Sequence, residues 1–356
     1  MAVTLTDILL QRIAAQGPIS MADYMADCLL HPQHGYYTTR EAIGADGDFI
    51  TAPEISQMFG ELIGLCLAQA WLDQGRPPRF TLAELGPGRG TLMRDLLRAA
   101  GTVPGFLDAA QVYLVEAAPR MVQKQAQTLA DARPRWVDRV QALPAQPLFV
   151  VANEFFDALP VRQFLRDGDM WRERQVAQDQ GALAFGLGPA RPQPALHGRL
   201  ADTPDGALIE DCPLLAPLTG HLSETIAAHG GAALIIDYGD WRSQGDTVQA
   251  LYRGAPSPVL AHPGAADLTA HVDFEAIATA AAPTCAHSKL TPQGVFLERL
   301  GITARAQTLA KTLEGPALRS HIAAHRRLTH PSEMGNLFKV IGLFPKSAPP
   351  PAGLEQ

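Results

Sequence analysis

The chain has 356 residues, 47% of them hydrophobic and 18% charged, with a formal net charge of −7. That length can bury a sizeable core, and the composition is that of a soluble globular protein. The acidic balance and the lack of a Lys/Arg run exclude a general nucleic-acid binder, and no uncharged apolar stretch of about 18 residues supports membrane insertion.

Leu5, Ile8, Leu9 and Ile13 recur at helical spacing, and Gly17-Pro18 ends that helix. Ser20 stands at the N-cap of a second helix reaching about Leu30. His31-Pro-Gln-His-Gly-Tyr-Tyr37 is a turn whose histidines read as surface or hinge residues. The loop Gly44 to Pro53 carries glycines that could hinge over a site. Thr51-Ala-Pro-Glu54 has the form of a capping box before an apolar helix from about Glu54 to Gln74.

Phe80 to Leu85 reads as a buried strand running into Gly86, Gly88 and Gly90, then a helix from Thr91 to Ala100. Glycines there let the backbone approach a ligand, and the helix N-terminus offers unpaired N–H groups. A dinucleotide-binding G-x-G-x-x-G turn wants a glycine at position 91, where Thr91 stands. The run is instead Glu84-x-Gly86-x-Gly88-x-Gly90, which resembles the first motif of Rossmann-like S-adenosylmethionine (SAM) methyltransferases. An ordinary Gly/Pro turn and a nicotinamide or flavin site are the alternatives for this run. Gln111 to Glu116 reads as a second strand ending in an acid suited to ribose hydroxyls. A helix from Ala117 to Ala130 and a short strand near Val137 to Val140 follow, leading to Gln141 and Ala142, where adenine contacts are expected.

Leu148 to Asn153 is a continuous apolar run, as in a parallel strand buried on both faces, with Asn153, Glu154 and Asp157 beyond its carboxyl end. Carboxylates beside aromatic rings need partners, which favours a site over a solvated loop. Val161 to Val176 suggests a hairpin, and Gly186 to Pro204 a Pro/Gly-rich surface excursion. A helix from Pro213 to His229 precedes another buried strand ending in Asp237 and Tyr238. Thr269 to Asp273 looks like a helix N-terminus, although His271 and Asp273 are possible site residues. His321 and His325 lie i, i+4 without a third ligand, and the four cysteines form no C-x-x-C pair, so no metal site is expected and the thiols read as reduced. Gly335 to Leu343 is a final strand, and Pro345 to Gln356 a Pro-rich, disordered tail.

The whole is a doubly wound α/β pattern. It divides into a helical extension (1–75), a first half-core (76–160), an insertion with a hairpin and loop (161–212), a second half-core (213–344) and the tail (345–356).

Gly47-Asp-Phe-Ile-Thr-Ala-Pro-Glu-Ile-Ser56, Glu84-Leu-Gly-Pro-Gly-Arg-Gly-Thr91 and Asn153-Glu-Phe-Phe-Asp-Ala-Leu-Pro160 together resemble the MidA family of SAM-dependent methyltransferases. Ala266 to Phe274 and Met334 to Lys339 extend the resemblance to about residues 5 to 343. Mitochondrial members of that family are protein arginine methyltransferases that assist complex I assembly. The resemblance implies a Rossmann-like, seven-stranded α/β methyltransferase core. SAM would lie across Gly86 to Gly90, with Glu84 at its amino-acid end, its ribose on Glu116 and its adenine near Gln141 and Ala142.

The resemblance also implies a protein substrate, with an arginine of a respiratory complex I-type subunit as one acceptor. Arginine is protonated in water, so carboxylates must fix its guanidinium by paired hydrogen bonds. Glu154 and Asp157, with Asn153, are the catalytic candidates; Asp48, Glu54 and Tyr238 are candidates for acceptor contacts. The lack of a mitochondrial presequence suits a cytoplasmic, bacterial member, and nothing in the sequence fixes an oligomeric state. Two other classes stay open: a nicotinamide-dependent oxidoreductase, and a non-catalytic assembly or binding protein that keeps the fold.

Overall fold

The structure, a computed structural model, describes residues 3–39 and 51–356. Asp48 and the loop expected to hinge from Gly44 lie outside the described residues up to Phe49 and Ile50.

The strands Phe80–Leu85 and Leu148–Asn153 are buried along their whole length, at the centre of a twisted sheet. Across that sheet the order is Arg135–Val137, Ala110–Val115, Phe80–Leu85, Leu148–Asn153, Gly231–Asp240, Phe338–Phe344 and Ala286–His287. Val272–Asp273 and Thr291–Pro292 add two short pairings. The first five strands run parallel, and Phe338–Phe344 runs antiparallel to both its neighbours.

Chain order reverses between Phe80–Leu85 and Leu148–Asn153, the kind of crevice where open α/β sheets bind ligands. Register sharpens this. Leu85 pairs with Ala152, and Asn153 with Ile236. The turns after these strands therefore start side by side: Gly86 beside Asn153, and Glu154 beside Asp237.

Strand alternation sends Leu82, Phe149, Val151 and Ile236 to one face, under the helices Gln57–Asp73 and Thr91–Ala100. Ala83, Leu85, Val150 and Ile235 face the other side, under Leu215–His229 and Phe274–Ala281. The helix Gln57–Asp73, assigned from sequence to the N-terminal extension, thus belongs to the main core. Its buried Glu61 accepts from Arg98 at 2.9 Å and from Arg305 at 2.7 Å, tying the later helix Ile302–Ala310 to the sheet's first helices.

The helices Leu5–Gln16 and Met21–Leu30 pack on Val176, Val248 and Leu268, with Ser20 capping the second as its residue type predicts. The expected hairpin is part of a larger antiparallel sheet of Arg162–Asp167, Met170–Asp179, Ala182–Leu187, Leu208–Asp211 and Ile19–Ser20. Leu196, in the stretch read as a surface excursion, instead packs with Phe164, Trp171 and Ile209 in a small core of its own.

Two local readings are corrected. Thr51 makes no side-chain cap: the Glu54 N–H goes to the Thr51 carbonyl at 2.9 Å, and the Glu54 carboxylate that would complete a capping box is turned to Thr91. The helix Ala52–Ile55 stops at extended Ser56, which caps Gln57–Asp73. The tail read as disordered is packed. Bare Gly342 on the last long strand leaves a notch filled by Leu354 and Pro351, and the Cys66 thiol donates to the Ala352 carbonyl at 3.3 Å. Composition pointed to disorder, but two apolar anchors suffice to dock so short a segment.

Candidate active site

The strand Phe80–Leu85 delivers a turn in which Gly86, Gly88 and Gly90 all have positive φ (60°, 50° and 81°), a region that side chains enter only with strain. At Gly86 the need is also steric, since an added Cβ would lie 2.8 Å from the Phe155 ring. The glycine turn and the Asn153–Asp157 turn are thus in van der Waals contact. Gly90 forms the N-cap of Thr91–Ala100, whose first hydroxyl, on Thr91, donates to Glu54 Oε1 at 2.6 Å.

Glu54, Glu84, Arg89, Thr91, Asn153 and Glu154 line the resulting cleft, together with Gly86 and Gly88. Glu84 is 3% exposed, and its Oε2 has no hydrogen-bond partner among the described residues. Burial pushes its carboxyl well above the usual range, and the Met93 N–H offsets only part of that. Asn153 donates to Glu154 Oε1 at 3.1 Å, which leaves its own buried Oδ1 without a partner among the described residues. A glycine turn held at positive φ, faced by two orphaned acceptors, fits a ligand that offers ammonium-type donors at that end. This is the chemistry of the amino-acid end of SAM.

The second turn is held from beneath by Asp237, which is fully buried in the carboxyl-terminal half of Gly231–Asp240. Its Oδ2 accepts from the backbone N–H groups of Phe155, Phe156 and Asp157, and its Oδ1 from that of Tyr238. Glu154 is held at φ 51°, uncommon for a residue with a side chain, and its Oε1 also accepts from the Ala52 N–H at 2.9 Å. Burial pushes the Glu154 carboxyl up to about 7. The exposed Arg327 is the cation whose charge reaches it. Asp157 lies deeper, 6% exposed, with Oδ1 unpartnered among the described residues. Burial first, then the charges of Asp237, Glu154 and Asp267, raise its carboxyl well above normal.

Glu54, Glu84, Gly86, Gly88, Asn153 and Glu154 therefore share one cleft, with Gly90 behind it and Asp157 beneath Glu154. Glu116 stands at the end of the next strand, where its Oε1 accepts from the Ala118 N–H at 2.8 Å. Gln141 and Ala142 are exposed on a short 3₁₀ turn after Arg135–Val137, the strand having been expected a few residues later. Tyr238 is not on the cleft wall: it is 7% exposed, edge-on to His271, with its hydroxyl 3.3 Å from Gln249. Asp273 caps Phe274–Ala281 through the Ala276 N–H, and His325 lies against Thr303 and Glu298. Arg89, Thr91, Gln125 and Asp237 also belong to the site or its supports, without a motif in the sequence that marks them. For Asp237 a signal existed, an acid at the carboxyl end of a buried strand beside the switch point.

A sheet of this order with its last strand antiparallel, and an acidic residue before a triple-glycine turn at the switch point, define the Rossmann-like methyltransferase class. The model of a family of S-adenosyl-L-methionine-dependent methyltransferases matches residues 62–293. The mitochondrial protein arginine methyltransferase NDUFAF7 of Mus musculus is 36% identical over 366 residues, covering 95% of this chain and 83% of the relative. Its Homo sapiens counterpart is 35% identical, with 95% and 82% covered. A Burkholderia thailandensis structure with bound S-adenosyl-homocysteine superposes with a TM-score of 0.81 at 31% identity, covering 96% of this chain and 91% of that one. The chain belongs to the MidA family of SAM-dependent methyltransferases.

Proposed function

We propose that this methyltransferase acts on an arginine guanidinium of a protein acceptor. One observation carries the reading: Glu154 and Asp157, two buried carboxyls on one turn beside the glycine cradle, have no ion pair with a lysine or arginine among the described residues. Such a pair is costly until a cation reaches it, and a guanidinium offers both charge and a planar fork of donors. The relatives named protein arginine methyltransferases, at 34% to 36% identity, support the same acceptor class.

SAM supplies a methyl group on a sulfonium sulfur, and the protein's task is alignment for in-line transfer. In this reading Glu84 and Asn153 Oδ1 hold the ammonium, Arg89 and the N–H groups at the start of Thr91–Ala100 hold the carboxylate, and Glu116 takes the ribose hydroxyls. Glu154 and Asp157 grip the guanidinium so that one nitrogen lone pair points at the methyl. Glu154, raised to about 7, is poised to take the proton that this nitrogen sheds.

The test is methyl transfer from labelled SAM to arginine-containing peptides and to cell extract, a respiratory complex I-type subunit included, with the modified residue read by mass spectrometry. Label on arginine, lost in Glu154→Gln, is expected. Label on another residue type, or binding of S-adenosylhomocysteine with no transfer to any acceptor, would overturn the proposal; the second result would favour a binding protein on this fold.

A further inference from the structure

Gln125 lies on the helix Pro119–Thr128 and is fully buried. A buried primary amide in a helix interior needs a reason, since each unpaired donor or acceptor would be penalised. Here each direction is used. Nε2 donates to the Gly88 carbonyl at 2.8 Å and to Glu116 Oε2 at 2.9 Å. Oε1 accepts from the Trp136 indole N–H at 2.8 Å.

The indole can only donate, and the other two partners can only accept, so the amide has a single satisfied orientation. One side chain thereby joins the glycine turn, the acid at the end of the second strand and the start of the third.

We propose that Gln125, oriented by Trp136, is a positioning residue that sets Glu116 relative to the glycine turn and so determines selectivity for the ribose of SAM. This rests on the reading of Glu116 as the ribose acceptor. With Oε1 held by the Ala118 N–H and Oε2 by Gln125, and the Ala117 N–H also turned to the carboxylate, its orientation is fixed at both oxygens, which aims its remaining acceptor capacity at the ribose hydroxyls. Without Gln125 the carboxylate would swing, and the Gly88 carbonyl would lose its partner.

Calorimetric titration with S-adenosylhomocysteine and with its 2′-deoxy analogue tests this without relying on turnover. The intact protein should prefer the natural compound about tenfold, the scale of one hydrogen bond to a charged group. In Gln125→Leu the preference should fall to about twofold, beyond any uniform weakening. Trp136→Phe removes the donor to Oε1, leaves the amide held by its two acceptors alone, and should give an intermediate preference, which also covers the case in which Gln125→Leu fails to fold. Equal weakening of both ligands at unchanged preference, in either variant, would reduce Gln125 to a packing role and overturn the inference. Glu116→Gln separates the two layers. A preference unchanged by that substitution would sink the ribose reading itself, whereas one lost with Glu116→Gln but kept in Gln125→Leu and Trp136→Phe would sink only the inference about Gln125.

Discussion

Asp237 Oδ2 accepts the backbone N–H of Phe156 at 3.0 Å, and the N–H groups on either side, from Phe155 and Asp157, converge on the same oxygen at 3.2 Å. A tight turn after a buried strand has no ladder partner for its amides, and this carboxyl supplies one for three in succession. The turn that carries Glu154 and Asp157 is thus hung from the neighbouring strand rather than from its own.

Asp237→Asn should therefore act at two levels. Its amide group can satisfy the turn or Tyr238, but not both, because one end becomes a donor facing a donor. Loss of about 2 kcal/mol in urea denaturation is expected, the scale of a buried polar group left unpaired. Methyl transfer should fall at least tenfold as Glu154 and Asp157 drift. A variant with unchanged stability and turnover would show that the turn holds itself.

Gly86→Ala separates steric from backbone strain. The new Cβ would meet the Phe155 ring at 2.8 Å, and the residue would also sit at φ 60°. Gly75 has φ 83° with nothing within 4 Å of a built Cβ, so Gly75→Ala carries backbone strain alone, about 1 kcal/mol. Binding of S-adenosylhomocysteine should be lost by about a hundredfold in Gly86→Ala, since the cradle and the Asn153–Asp157 turn are pushed apart. Gly75→Ala should bind normally. Equal binding by the two variants would mean that the glycine turn does not need its close approach to Phe155.

The pH dependence follows from Glu154. Burial raises its carboxyl to about 7 in the fold, against about 4.3 in an unfolded chain. Between those values the folded state holds a proton that the unfolded state has released, so stability falls as pH rises through that window. Asp157 and Asp237 shift in the same direction. Urea midpoints of the ligand-free protein should decline from about pH 5 to pH 7, and less steeply in Glu154→Gln. A guanidinium needs the ionised form, so kcat/KM for the acceptor should rise with pH across about 7. An acceptor dependence flat from pH 6 to 8 would remove Glu154 from the acceptor site.

The sheet was legible in the sequence because the central strands are short, largely apolar segments that run into a glycine or an acid, as Phe80–Leu85 and Leu148–Asn153 do. The cleft was legible for the same reason: strand ends at a switch point are adjacent by topology, so Glu84, Gly86 and Asn153 could be gathered without coordinates. What was not legible depends on partners distant in sequence. Glu54 reads both as a cap and as a candidate acceptor contact, and only its pairing with Thr91, 37 residues on, shows where its carboxylate is turned. Gln125 looked like any polar residue of an exposed helix, because its three partners come from three different elements. Tyr238 shares a strand end with Asp237, yet alternation sends the two side chains to opposite sides, and only Asp237 reaches the turn.

The C-terminal segment gives the last prediction. Leu354 is 7% exposed, in the same core as Cys66 and Phe296, and its Cδ1 occupies the space that a side chain at Gly342 would need, 2.7 Å from a built Cβ. The tail is also joined by the Cys66–Ala352 hydrogen bond and by an Arg299–Glu355 ion pair at 2.6 Å. These contributions differ in kind. The ion pair is on the surface, with Glu355 59% exposed, and contributes less than about 1 kcal/mol. Removing the buried Leu354 side chain leaves a cavity above Gly342 and should lower stability by about 2 kcal/mol, the low end for a leucine at the edge of a core. Leu354→Ala should therefore shift the urea midpoint clearly, and Glu355→Ala barely. Hydrogen exchange should show amides of the last strand, Phe338–Phe344, opening more readily in Leu354→Ala. If truncation before Pro350 left both the midpoint and that exchange unchanged, the segment would be an ornament on the sheet rather than part of its core.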